Sequence, residues 1–142
     1  MKKNVFFLFL YLLVFQLSSN ISFATTCIDA IQIVQSNLPT NQSLVCGSSN
    51  DIHNNTILGS QSYLGGLESV YKFTPTSSGS FTISYTGQTW SGIFVFQGCP
   101  TSGGTSVGNI TSSSSSKNIS VVLTSGAEYY IVFDTYPAPA VS

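Results

Sequence analysis

The chain has very little charge: only nine of its 142 residues are Lys, Asp or Glu, and it contains no arginine. A nucleic-acid partner is excluded, because such a surface needs several basic side chains to neutralise phosphates. With one histidine, His53, the chain cannot form a His-rich metal centre. It has instead 25 Ser and 14 Thr. The composition predicts a neutral, hydroxyl-rich surface that is poorly suited to acid–base catalysis.

The N-terminus has the pattern of a bacterial secretory signal peptide. Two lysines follow the initiator methionine, residues 5–17 form an almost unbroken apolar run, and Ser22 and Ala24 are small residues that suit a cleavage site. This run is shorter than the roughly 20 residues that cross a bilayer. We therefore expect a cleaved signal peptide at 1–24, a mature domain at 25–142 without a membrane span, and an extracellular or cell-surface location.

The rest of the chain alternates apolar and polar residues over short segments, as half-buried β-strands do. The clearest segments are 69–74, 80–86, 119–124 and 128–134, and weaker candidates are 31–34, 44–46 and 107–111. Residues 93–96 are apolar throughout, which predicts a central strand covered on both faces. Segments rich in Gly, Pro and Ser separate the strands, and 75–79 indicates a hairpin-type connection. This pattern predicts a single all-β domain, an antiparallel sandwich or barrel.

Six segments, taken in order, resemble one protein family. They are 27–31 (CIDAI), 45–47 (VCG), 68–75 (ESVYKFTP), 79–84 (GSFTIS), 90–100 (WSGIFVFQGCP) and 127–135 (AEYYIVFDT). Together they resemble the bacterial pre-peptidase C-terminal-like module, in the variety common in secreted multidomain proteins of the Bacteroidetes.

The resemblance implies an antiparallel, jelly-roll-like β-sandwich of about 120 residues. It also implies a non-catalytic module without a cofactor, whose partners are other domains of a larger extracellular protein, glycans or surface proteins. Relatives have one more strand after the region of Pro137. We therefore expect the module to be C-terminally incomplete, with an unpaired sheet edge and an uncovered strip of core.

Three cysteines allow one disulfide and leave one thiol. Cys27 and Cys46 are close in sequence and the chain is predicted to be exported, so we expect these two to pair. Cys99 is then free or pairs with a cysteine beyond Ser142. A nucleophilic role for Cys99 would need a nearby base, and nothing in the sequence places His53 beside it.

Several aromatic residues do not fall on predicted core positions, and exposed rings can stack on sugar faces or anchor protein contacts. Trp90, Tyr63 and Tyr136 are the candidate ligand-stacking residues, with Tyr130 as a further one. For Trp90 the alternative is that its ring covers one end of the core.

The acidic residues give no catalytic or metal site by spacing. Asp51 and Asp134 could contribute oxygen ligands to Ca²⁺, but no Asp-x-Asp-x-Asp pattern is present, and both also suit hydrogen-bonded turns. Glu68 and Glu128 are interpreted as solubilising surface charges.

The sequence favours a non-catalytic, exported β-sandwich module for binding, adhesion or spacing in a secreted or cell-surface protein. Two alternatives remain, namely a carbohydrate-binding module that uses exposed aromatics and an accessory domain of a secreted peptidase or other hydrolase. A weaker one is a subunit whose open sheet edge accepts a strand from a partner.

Overall fold

The structure is a computed structural model of the chain, and it describes residues 26–41, 44, 50–52 and 61–136. The predicted signal peptide, Cys46 and His53 lie outside these residues. Seven strands are described: β1 (Ile31–Ile33), β2 (Ser69–Phe73), β3 (Gly79–Thr86), β4 (Ser91–Gln97), β5 (Thr105–Ser112), β6 (Ser116–Leu123) and β7 (Tyr129–Thr135). Three single 3₁₀ turns accompany them, at Gln35–Asn37, Gln61–Tyr63 and Pro100–Ser102.

The strands form two packed sheets, so the fold is an all-β sandwich, as the sequence predicts. One sheet has five strands in the order β1-β2-β7-β4-β5, and the other is the pair β3-β6. Neighbouring strands are antiparallel except β1 and β2, which are parallel. The sandwich is thus antiparallel apart from β1, which lies parallel to β2 where the N-terminal segment enters the sheet.

The five-stranded sheet carries a separate core on each face. Its inner face meets β3 and β6 in the inner core, whose buried residues are Tyr71, Phe73, Ile93, Val95, Val121, Leu123, Tyr129 and Ile131. Its outer face carries the outer core, which consists of Ile52, Leu64, Val70, Phe94, Phe96, Tyr130 and Val132. Residues 93–96 contribute alternately to both cores and are at most 1 % exposed, so the prediction of a strand covered on both faces is confirmed.

The connection at 75–79 differs from its prediction. It joins β2 of the five-stranded sheet to β3 of the two-stranded sheet, so it crosses between the layers and is not a hairpin. The Gly126 N–H, in the connection that returns from β6 to β7, donates to the Pro75 carbonyl over 2.8 Å. Turn composition indicates where the chain reverses direction. Whether the next strand joins the same sheet or the opposite one depends on which sheet faces have to be covered.

One edge of the two-stranded sheet is open in the part of the chain that the structure describes. Strand β3 pairs only with β6, and a groove of about 710 Å³ lies between β3 and the five-stranded sheet. The inward residues Phe81, Ile83 and Tyr85 of β3 are only half-buried, whereas Val121 and Leu123 of β6 are buried. Within the described residues, β3 is thus an unpaired edge beside an incompletely covered part of the core. The C-terminally incomplete module stays a prediction. Among the residues that the structure describes, no helix is long and apolar enough to cross a membrane.

The disulfide joins Cys27 to Cys99, with Cα atoms 5.8 Å apart. The predicted Cys27–Cys46 bridge and the free Cys99 are therefore wrong. Cys27, which precedes β1, packs against the outer core, as does Cys99 in the turn after β4. Pairing follows distance in space, and 72 residues separate the two cysteines in sequence. Nearness along the chain therefore did not predict which cysteines pair.

Candidate functional site: an exposed aromatic cluster

Among the three candidate stacking residues, the ring of Tyr136 contacts both of the others. The ring centre of Tyr136 lies 5.8 Å from that of Tyr63, with an interplanar angle of 71°. It lies 6.1 Å from the ring centre of Trp90, with an angle of 59°. These separations are typical of aromatic pairs that meet edge to face or tilted. We call Trp90, Tyr136 and Tyr63 the aromatic cluster.

Strand register explains why two of these residues meet. β4 and β7 are antiparallel neighbours, and Ser91 lies opposite Thr135 at the end of their pairing. Trp90 directly precedes β4 and Tyr136 directly follows β7. The Tyr136 N–H donates to the Trp90 carbonyl over 2.7 Å. Tyr63 ends the 3₁₀ turn and is half-buried against the outer core, and its ring packs against that of Tyr136.

The cluster presents a large aromatic surface to solvent. Trp90 is 56 % exposed and Tyr136 is 45 % exposed. The interpretation of Trp90 as a cover over the core does not fit, because more than half of the residue faces water. Contiguous exposed apolar area is unfavourable in water and commonly marks a binding surface. The arrangement offers flat ring faces together with the Tyr136 hydroxyl and the Trp90 indole N–H as hydrogen-bonding groups.

The backbone of Trp90 is strained. Its φ angle of 53° lies in the left-handed region, and no other described residue apart from glycines has a positive φ. Such a conformation costs on the order of 1 kcal/mol or more and persists only where the surroundings fix it. Here the Ser91 hydroxyl and the Lys117 ammonium both donate to the Gln88 carbonyl, over 2.6 and 3.1 Å. The preceding turn is thus held in place, and the Trp90 ring projects from it.

Lys117 is the buried cation beside this turn. It is 3 % exposed, its ammonium also donates to the Ser114 carbonyl over 2.5 Å, and it lies 5.3 Å from the centre of the Tyr85 ring. Desolvation lowers the pKa of Lys117. Because carbonyl oxygens and a ring face surround the ammonium, its role here is to fix the turn rather than to attract a charged ligand.

The other candidate residues, Tyr130, Glu128 and Asp51, are not part of the aromatic cluster. Tyr130 is buried in the outer core, where its hydroxyl donates to Glu128 over 2.7 Å, so it cannot stack on a ligand. Burial, followed by this hydrogen bond and the Glu128 charge, raises the pKa of Tyr130 to about 12. Glu128 is exposed, as expected, and lies 3.5 Å from the Lys72 ammonium. Asp51 is also exposed.

The buried acidic pair of Glu68 and Asp134 was not predicted from the sequence. Glu68, interpreted as a surface charge, is fully buried, and Asp134 is 2 % exposed. The interpretation of Glu68 was wrong because alternation shows which residues share a face of a strand, not whether a distant segment covers that face. The strand pattern did contain a signal, since 68 and 134 both adjoin the buried pairing of β2 with β7.

Comparison of the chain with protein-family models, with curated proteins and with solved structures gives no match.

Proposed function

We propose that this chain is a non-catalytic, exported β-sandwich module that binds glycans through the aromatic cluster. The observation that carries the proposal is the contact of three rings, two of them about half exposed, at one end of the β4–β7 pair. Flat apolar faces stack on the C–H faces of sugar rings, and the adjoining hydroxyl and indole N–H can bond to sugar hydroxyls. Such recognition needs no charge on either partner.

The scarcity of charge supports a neutral ligand. Within the described residues, the carboxylates nearest the cluster along the chain, Glu68 and Asp134, are buried, and Lys117 is bound to carbonyl oxygens. A nucleic acid or a strongly acidic polymer would need several accessible cations. A sugar surface needs stacking and hydrogen bonding, which the cluster supplies.

The setting that we propose is a module of a larger secreted or cell-surface protein, related to the pre-peptidase C-terminal-like family. The order of the six resembling segments supports this relation, and the all-β sandwich agrees with it. Export is supported by the charged, apolar and small-residue pattern of residues 1–24.

A glycan array followed by titration of any positive glycan tests the proposed function. Trp90→Ala and Tyr136→Ala should each weaken binding roughly 5- to 100-fold, as truncation of a central aromatic contact does. Val122→Ala is the matched control, because Val122 is 79 % exposed on β6, outside the cluster, and its loss should leave binding unchanged. The proposal fails if no neutral glycan binds, or if the two aromatic variants bind as well as the unmodified chain.

A further inference from the structure

Glu68 and Asp134 face each other at the end of the β2–β7 pair. The antiparallel register places Ser69 opposite Phe133, so the next facing pair is Glu68 and Asp134. Directly opposed side chains have Cβ atoms about 4.5–5.5 Å apart. Both residues lie on the outer face with Val70 and Val132, where segments before β2 cover the sheet. Two acidic side chains are thus held close together and out of water.

Only one oxygen of each carboxylate is used. Glu68 Oε1 accepts from the backbone N–H groups of Asp51 and Ile52, over 2.5 and 2.8 Å. Asp134 Oδ1 accepts from those of Gly66 and Thr135, over 3.1 and 2.5 Å.

The second oxygens have no hydrogen-bond partner in the part of the chain that the structure describes. These are Glu68 Oε2 and Asp134 Oδ2, and the buried hydroxyl Oγ1 of Thr135 is in the same situation. Buried polar atoms almost always find partners, and two carboxylates are the most costly groups to leave unmatched.

The backbone of Gly66 closely approaches Thr135 Oγ1 and Asp134 Oδ1. A Cβ atom on Gly66 would collide with Thr135 Oγ1 and would lie only 3.0 Å from Asp134 Oδ1. Thr135 Oγ1 and Asp134 Oδ1 therefore lie close together on the same side of the Gly66 backbone.

Two carboxylates that face each other out of water need a positive charge between them, supplied either by a bound cation or by a shared proton.

We propose that Glu68, Asp134 and Thr135 form a Ca²⁺ site that joins the end of the β2–β7 pair to the loops covering the outer face. Carboxylate and hydroxyl oxygens are the ligands that this hard cation prefers, and it tolerates irregular geometry. The described residues contain no group of three or more His, Cys, Asp or Glu side chains that could hold a metal. A Ca²⁺ ion at this site would therefore have to take its remaining ligands from neutral oxygens, which predicts the weak affinity typical of extracellular modules, roughly 10⁻⁴–10⁻³ M.

The test is thermal unfolding of the purified full chain after treatment with a chelator, with CaCl₂ or MgCl₂ then added. Saturating Ca²⁺ should raise the Tm by about 5 °C, and the same concentration of Mg²⁺ should have much less effect. Calorimetric titration of the same sample should give one site per chain.

Glu68→Gln and Asp134→Asn should abolish the response to Ca²⁺. Both variants should fold, because each removes one of two facing charges, and their Tm in chelator should equal or exceed that of the unmodified chain. Glu128→Gln is the matched control, because it removes an exposed carboxylate and should keep the full response. A pair that simply shares a proton would give stabilised variants and no Ca²⁺ response in the unmodified chain. That result overturns the proposal, as does an unchanged Ca²⁺ response in the Glu68 and Asp134 variants.

Discussion

The two faces of the five-stranded sheet are covered in different ways. The inner face packs on a second sheet through the apolar and aromatic side chains of the inner core. The outer face is covered by segments before β2 that form no strand in the described residues. A disulfide fastens them to the turn after β4, and a buried acidic pair lies at their edge. The aromatic cluster also borders the outer core, through Tyr63.

The difference shows that one small domain can cover its two cores in two ways. Regular strands satisfy their own backbone hydrogen bonds, so the inner core needs only apolar side chains of suitable size. Irregular segments cannot do this, so their backbone N–H groups are bound by other groups. Glu68 accepts from two such N–H groups and Asp134 accepts from that of Gly66. The outer face therefore carries the disulfide together with these carboxylate–backbone hydrogen bonds.

The largest effect should come from removing the disulfide. Cys27→Ser or Cys99→Ser should lower the free energy of unfolding by about 4 kcal/mol, because the bridge restricts a long loop in the unfolded chain. Urea unfolding of the oxidised chain and of each variant measures this difference. Cys46→Ser is the control and should unfold at nearly the same urea concentration as the unmodified chain. If Cys46→Ser proved as damaging as Cys99→Ser, the Cys27–Cys99 pairing would be refuted.

Loss of side-chain volume in the inner core should destabilise the fold. Leu123→Ala should lower the free energy of unfolding by about 3 kcal/mol, because Leu123 is 1 % exposed and its truncation leaves a cavity. The adjacent Val122→Ala, on the solvent face of β6, should cost less than about 0.5 kcal/mol. Chemical denaturation of the two variants checks the contrast, and equal losses would contradict the assignment of β6 to the two-stranded sheet with Leu123 inward.

Added side-chain volume at the outer face should destabilise the fold. Gly66→Ala should lower the free energy of unfolding by about 2 kcal/mol, since the new methyl group meets Thr135 Oγ1 and Asp134 Oδ1. Gly79→Ala is the control, because no atom lies within 4 Å of the added Cβ and strand positions favour Ala over Gly. Thermal unfolding of both variants measures the effect. Tolerance of Gly66→Ala would mean that the loop before β2 is not closely packed on these oxygens.

The inner face could largely be predicted from the sequence and the outer face could not. Alternation in β3, β6 and β7 correctly identified the strands, and the apolar run at 93–96 identified the doubly covered strand. Alternation also groups Glu68 with Val70, but the burial of that group depends on segments far away in sequence. For the same reason, spacing between cysteines could not reveal the partner of Cys27.

The aromatic cluster could be predicted from the sequence only in part. Trp90, Tyr63 and Tyr136 could be singled out because they fall outside the predicted core positions. Their contact could not be predicted, because it needs the register that sets Ser91 opposite Thr135. Once that pairing is known, the approach of Trp90 and Tyr136 follows from antiparallel geometry.

The smallest effect concerns the strained residue of the cluster. Trp90→Gly should be more stable than Trp90→Ala by about 1 kcal/mol, because glycine adopts the positive φ of this position without a steric cost and alanine does not. Both variants lose the ring equally, so their difference reports the backbone alone, and thermal unfolding measures it. Equal stability would show that the turn relaxes when the ring is removed, so that the Trp90 ring itself imposes the strained conformation. A clear advantage for glycine would show that the hydrogen bonds to Gln88 hold the turn regardless of the ring. The cluster would then be built on a preformed support.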